Sequence, residues 1–270
     1  MLITRTILSL AMLIMTLVSA AQVDSLRLDK KYFRHYLTDT RDLVLAPLNI
    51  KGNGWKGRDW AKLAAVAGIT AALTLTDEDI RDFFQDNRTA SRDDITKYGL
   101  EPFANTYGLL ITGGMLLHGT LAGNGRSTST GLLAAESFII STLLVRIPKY
   151  MAGRIRPDAW WGPGPYEWEV FGKGRSFPSG HTTTAFAMAT VFAFQYKDTP
   201  WVPVTAYTLA TLSGLSRAYD NRHWFSDIFT GAVFGIATAR FICKKHQESR
   251  LTVLPAVSGG TSGLSISYKW

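Results

Sequence analysis

Residues 178–196 read PSGHTTTAFAMATVFAFQY: a proline, a serine, a glycine and a histidine, then an uncharged run of small and apolar residues. Ser179 is the residue type that closes a helix N-terminus with its side-chain oxygen, so the stretch predicts a buried helix entered through a cap. Five further segments share its character: Trp60–Leu75, Tyr107–Ala122, Gly131–Val145, Val202–Leu215 and Ile228–Ile242. Each is about 15 residues long, rich in Ala, Gly, Thr and Leu, and too continuous for an amphipathic surface helix. Together they predict an all-α fold, a bundle of about six helices whose small residues permit close approach.

The flanks differ from this bundle, which covers residues 60–246. Arg5, the apolar run Ile7–Val18 and Ser19-Ala20-Ala21 predict a signal peptide over residues 1–21, with an uncleaved anchor as the alternative. Residues 22–59 form a basic N-terminal region. Nine Lys or Arg lie between Arg27 and Lys62, with turn punctuation at Ala46-Pro47 and Gly52-Asn53-Gly54, which predicts loops and a short helix. The acidic stretch Asp77–Glu101 carries eight carboxylates without calcium-loop spacing and reads as a solvated connection. In the tail, 247–270, Leu264, Ile266, Tyr268 and Trp270 alternate with Ser265, Ser267 and Lys269 after Ser258-Gly259-Gly260, the pattern of a short C-terminal β-hairpin.

Composition narrows the function. With 270 residues, 19% charged and 12% aromatic, the chain is neither a disordered tail, a collagen nor a coiled coil. Cys243 is the sole cysteine, so no internal disulfide and no cysteine-based zinc site can form. A net charge of +8 calls for an acidic partner, which could be nucleic acid, phospholipid or a phosphate ester. The excess charge forms no aromatic-interleaved basic patch and the chain carries an export signal, so nucleic acid is not expected.

Three clusters at segment ends carry chemistry. Lys149 precedes Arg156-Pro157 by a spacing of seven, which would put both cations on one helical face, with Pro157 ending the helix. Pro178-Ser179-Gly180-His181 opens the next helix and would present backbone N–H groups to an anion at its positive end. Ser216-Arg217 is followed by His223 and Asp227, an i, i+4 pair in which the carboxylate can orient the imidazole. If the helices are antiparallel neighbours, all three clusters share one end of the bundle. Two histidines then face three cations around a phosphate-sized space. Taken singly, each element reads as a flanking charge or an ordinary helix pair. His35, His118 and His246 read as structural or solvated.

Lys-x6-Arg-Pro, Pro-Ser-Gly-His and Ser-Arg-x5-His-x3-Asp, in this order, resemble the signature of the type 2 phosphatidic acid phosphatase superfamily, which also holds class A acid phosphatases and vanadium haloperoxidases. The resemblance runs from about Leu109 to Arg240 and fixes eleven positions, too many in order to arise by chance. It implies that His223 is the nucleophile that forms a phosphohistidine, that Asp227 holds its ring, and that His181 protonates the leaving oxygen. It implies that Lys149, Arg156, Arg217, the Ser179 hydroxyl and the Gly180 N–H bind the phosphate, with no metal and no cofactor.

The expected activity is hydrolysis of a lipid phosphate monoester or pyrophosphate at a membrane of the cell envelope. Phosphatidic acid, phosphatidylglycerophosphate, an isoprenyl pyrophosphate and lipid A are all candidates. Segments of about 15 residues fall short of the roughly 20 that usually span a bilayer. Near-continuous apolar helices, aromatic residues near segment ends and the family's lipid-handling branch nevertheless favour membrane embedding, and positive charge opposite the site would face it to the periplasm. The alternatives are a soluble periplasmic acid phosphatase, a vanadium haloperoxidase, and an envelope protein that binds anions without turnover. Mean hydropathy, +0.05, sits between the soluble and polytopic ranges.

Overall fold

The computed structural model describes residues 30–48, 54–159, 164, 166–248, 251–258 and 261–268. The expected signal peptide lies outside them, as do Trp160 and Trp161 of the loop between the first two motifs. Chain order gives α1 (Lys30–Leu45), α2 (Gly57–Thr74), α3 (Asp77–Asp86) and the short α4 (Ala90–Asp94). A π-helical turn (Ile95–Leu100) and a 3-10 turn (Glu101–Ala104) lead into α5 (Thr106–Leu121). Then come α6 (Gly125–Leu144), α7 (Arg146–Ala152), α8 (Gly180–Gln195), α9 (Trp201–Tyr219) and α10 (Phe225–Glu248). Strands β1 (Leu251–Ser258) and β2 (Thr261–Tyr268) follow, antiparallel, with Val253 opposite Ile266.

The architecture is mostly helical, and each of the six apolar segments lies on a helix. α8 is the centre: it packs on α6, α9 and α10. Its uncharged face joins Ala187 and Val191 to Leu133, Ala134, Ile140 and Leu144 of α6 and to Ala239, Ile242 and Cys243 of α10. Small residues set the spacing. A Cβ on Gly231 of α10 would lie 2.5 Å from the Ser179 carbonyl oxygen, so α10 can approach the start of α8 only with glycine there.

Two helical stretches among the described residues, Gly125–Ala152 and Phe225–Gln247, are long and apolar enough to cross a membrane. Large apolar side chains also face outward on the bundle, among them Leu110 and Leu117 of α5, Leu143 of α6 and Val204 of α9. The aromatic residues at segment ends divide. Trp60 and Trp201 are exposed as interfacial groups would be, but Tyr196 and Trp224 are buried. Trp224 faces inward because its indole N–H donates to the Ile155 carbonyl at 2.9 Å.

Two stretches depart from the sequence reading. The basic region holds a sixteen-residue helix, α1, rather than loops and a short helix. Its Asp39 is wholly buried and pairs with Lys245 and His246 of α10, which gives the helix a docking face that composition hides. The acidic stretch is helical too, and its first residue is not solvated. Asp77 is buried and bonded to Arg154 and Ser226, so one of the eight carboxylates serves as a structural anion.

Candidate active site

Ser179 caps α8 as its residue type predicts: its Oγ accepts from the Thr182 N–H at 3.4 Å and from the Thr182 hydroxyl at 2.9 Å. The Ser179 N–H donates to the Asp227 carbonyl at 3.0 Å, which ties the start of α8 to the first turn of α10. Ser179 is wholly buried and is not among the residues lining the cleft. Gly180 and His181 do line it, together with Lys149, Arg156 and His223. The three motifs therefore meet at one end of the bundle.

His223 precedes α10 and Asp227 lies in its first turn, so the pair spans a helix start rather than a helical turn. The His223 Nδ1 is 3.6 Å from Asp227 Oδ2, longer than a hydrogen bond. Ser176 sits beside both groups. Its hydroxyl donates to Asp227 Oδ2 and lies 3.5 Å from His223 Nδ1. The Trp224 N–H also donates to Oδ2, at 3.0 Å. Burial pushes the His223 imidazole down to about 4, against the opposing pull of Asp227, so the ring is neutral at pH 7.

Asp227 is held from behind. Arg154, wholly buried, donates Nη1 to Asp227 Oδ1 and Nη2 to Asp77 Oδ2, each at 2.7 Å. Its guanidinium lies over the Trp168 ring at 4.8 Å and the Trp224 ring at 5.5 Å. Asp77 Oδ1 in turn accepts from the Ser226 N–H at 2.8 Å, a donor orphaned at the start of α10. The link from α3 through Arg154 to α10 thus fixes the carboxylate that faces His223.

The basic residues are placed less simply than their spacing suggests. α7 ends at Ala152, where Gly153 takes φ +59, and Arg156 follows on non-helical chain. Lys149 and Arg156 reach the same cleft although they do not share a helical face. The Lys149 ammonium donates to the carbonyls of Arg175, Ser176 and Pro178 at 2.8, 3.3 and 2.7 Å, and so clamps the loop leading into α8. Arg217, at the end of α9, is not among the cleft-lining residues. Its guanidinium is 3.2 Å from Asp220 and 3.5 Å from Glu101.

Glu101 was not singled out by any motif, and it bridges the site. Its Oε1 lies 2.8 Å from His181 Nε2 and 3.5 Å from Arg217. Asn105 Nδ2 approaches the same ring nitrogen at 3.4 Å. Arg154 and Ser176 were missed as well. Both stand inside or next to the motif segments, and the proximity of an arginine to Lys149 and Arg156 was the available signal. Asp77 and Glu101 had none, since they come from a run of carboxylates of which most are exposed.

A helical bundle that brings two histidines, a buried carboxylate and basic side chains to a single cleft defines an anion site of the histidine type. The PAP2 superfamily pattern matches residues 130–251, which include every site residue expected from the sequence. The chain belongs to this superfamily. Phosphatidylglycerophosphatase B of Bacillus subtilis is 31% identical over 150 residues, 53% of this chain and 67% of that protein. Lipid A 1-phosphatase of Porphyromonas gingivalis is 40% identical over 116 residues, 42% of this chain but only 23% of that longer protein. The crystal structure of the first transmembrane PAP2 type phosphatidylglycerolphosphate phosphatase from Bacillus subtilis superposes on 82% of this chain and 98% of its own, with TM-score 0.44 and 24% identity.

Proposed function

We propose that this chain is a membrane phosphatase that hydrolyses lipid phosphate monoesters or pyrophosphates, without a metal in the site, through a phosphohistidine. The observation that carries the reading is the neutral, buried His223 set against Asp227 in a cleft that His181, Lys149 and Arg156 also line. With Nδ1 turned to Asp227 and Ser176, Nε2 is the nitrogen left to attack phosphorus. The P–N bond forms as the ester P–O bond breaks, and His181 gives its proton to the leaving oxygen. Water then attacks phosphorus, the P–N bond breaks, and His181 takes the water's proton.

Electrostatics support the role of His223. Asp77 and Asp227 together carry two negative charges against one on Arg154, so the buried network favours the positive charge that His223 gains in the intermediate. Lys149, Arg156, Arg217 and the Gly180 N–H at the α8 terminus would neutralise the phosphate oxygens. Ser179 contributes by shaping that terminus, since its hydroxyl is engaged as the cap. Glu101 orients His181 and Arg217.

The substrate class follows from the surroundings and the relatives. Lipid A 1-phosphatase, phosphatidylglycerophosphatase B and undecaprenyl-diphosphatase, by their names, act on phosphates joined to an apolar body. An apolar groove lined by Phe103, Ile111, Met188, Phe192, Trp201 and Leu209 runs beside α8, one turn from His181 at Ala185, and suits an acyl or isoprenyl chain. We infer a multi-pass protein with its site facing the periplasm, since Lys197 and Lys244-Lys245 lie at helix ends opposite the site.

Phosphate release by the purified chain, from micellar phosphatidic acid and from a soluble phosphomonoester in parallel, tests this reading, with His223→Ala as the blank. The expected result is strong preference for the micellar lipid and no release by a folded His223→Ala protein. Equal or better turnover of the soluble ester would overturn the lipid assignment, and activity in His223→Ala would overturn the nucleophile.

A further inference from the structure

Far from the cleft, three helices bring a second titratable cluster together. Asp39 of α1, Glu136 of α6 and His246 of α10 are all buried. Glu136 precedes Lys149 by thirteen residues, about 20 Å along a helix, so the cluster lies toward the other end of the bundle from the active site. His246 Nε2 is 3.2 Å from Asp39 Oδ2 and 3.2 Å from Glu136 Oε2, and one ligand-type atom from each residue lies within 4.8 Å of the others.

We propose that Asp39, Glu136 and His246 form a structural site for one divalent transition cation, of which zinc is the best fit. Two donors each about 2.0–2.1 Å from a tetrahedral zinc stand about 3.3–3.4 Å apart, which matches the separations around His246. The charge also matches: Asp39 and Glu136 face a doubly charged ion, Lys245 on the far side of Asp39 is countered by Asp42, and a neutral imidazole is the third ligand. An imidazole with two carboxylates suits zinc, whereas magnesium and calcium prefer oxygen alone.

A second observation points to a ligand. Glu136 Oε1, the other oxygen of the carboxylate whose Oε2 faces His246, is buried and accepts no hydrogen bond among the described residues, which leaves it to complete the fourth position of a tetrahedral ion. The supports expected around ligands are present. The Tyr32 hydroxyl donates to Glu136 Oε2 at 2.8 Å, and Lys245 Nζ is 2.8 Å from Asp39 Oδ1, the oxygen turned away from His246. An ion here would pin α1 to α6 and α10.

Metal content of the full chain, purified in detergent from zinc-supplemented cells, tests the site, alongside Glu136→Gln, His246→Gln and His223→Ala. The expectation is about one zinc per chain in the wild type and in His223→Ala, with a fall of about tenfold or more in Glu136→Gln and His246→Gln. The wild-type Tm should drop on chelation and recover with zinc, and the folded variants should show neither change. Should Glu136→Gln fail to fold, His246→Gln and the wild-type chelation cycle carry the test. Less than about a tenth of an equivalent in the wild type, with Tm unmoved by zinc, would overturn the site in favour of a protonated ion triad. So would zinc lost from His223→Ala and kept in Glu136→Gln, which would put the ion on the active-site histidines.

Discussion

His223 owes its chemistry to what surrounds it. Burial lowers its imidazole to about 4 from the ordinary 6.5, so the free protein holds a neutral imidazole there down to acidic pH. The acid limb that His223 itself contributes is therefore expected near pH 4, and a His223 imidazole titrating near 6.5 by NMR in the free protein would show that the ring is not buried as described. The same shift lowers stability as pH falls from 6.5 towards 4, because in that window the unfolded chain binds the proton and the folded one does not. Arg217 leads to a second expectation. On the phosphate-binding role proposed for it, Arg217→Ala should cost about 10²- to 10³-fold in kcat and raise KM, and it would leave Glu101 to pair with His181 alone. Steady-state kinetics on the micellar substrate would check this, and unchanged kinetics would exclude Arg217 from the site.

The motif residues stood out in the sequence by their types and intervals, and Lys149, Arg156, Gly180, His181 and His223 line one cleft. What fixes them in space did not stand out. The spacing of Lys149 and Arg156 suggested one helical face, but Gly153 turns the chain out of α7 before Arg156 is reached. Asp77 looked like one solvated carboxylate among eight, because nothing local marks the one that a distant arginine will claim. The strength of that claim can be measured. Arg154→Met would leave Asp77 and Asp227 buried without their shared counter-charge, a loss of about 3–5 kcal/mol. Thermal or denaturant unfolding of the full chain should show it, together with reduced turnover, and a variant of wild-type stability would remove Arg154 from this role. The helices themselves were read well, since continuous apolar runs leave the backbone few alternatives. α1 was read only as loops and a short helix because charged residues dominate its composition, although Tyr32, Tyr36 and Leu43 recur at helical spacing and Tyr36 and Leu43 pack against the core.

On the scale of the whole molecule, the site is not confined to the segment that carries the family signature. Asp77 and Glu101 precede residue 130, where the family match begins, and both contact groups inside it. A fragment cut to the matched residues would retain all the motif histidines and basic residues. It would also strand Arg154 against a single carboxylate and leave His181 without Glu101. Such a fragment is expected to be insoluble or inactive in the phosphate-release assay, whereas one beginning before α2 should keep both. The link from α3 to α10 therefore has a genealogical reading. A change at Asp77 is tolerable only with a matching change at Arg154 or Ser226, so these positions should drift as a set when related sequences are compared, even where the signature between them stands still.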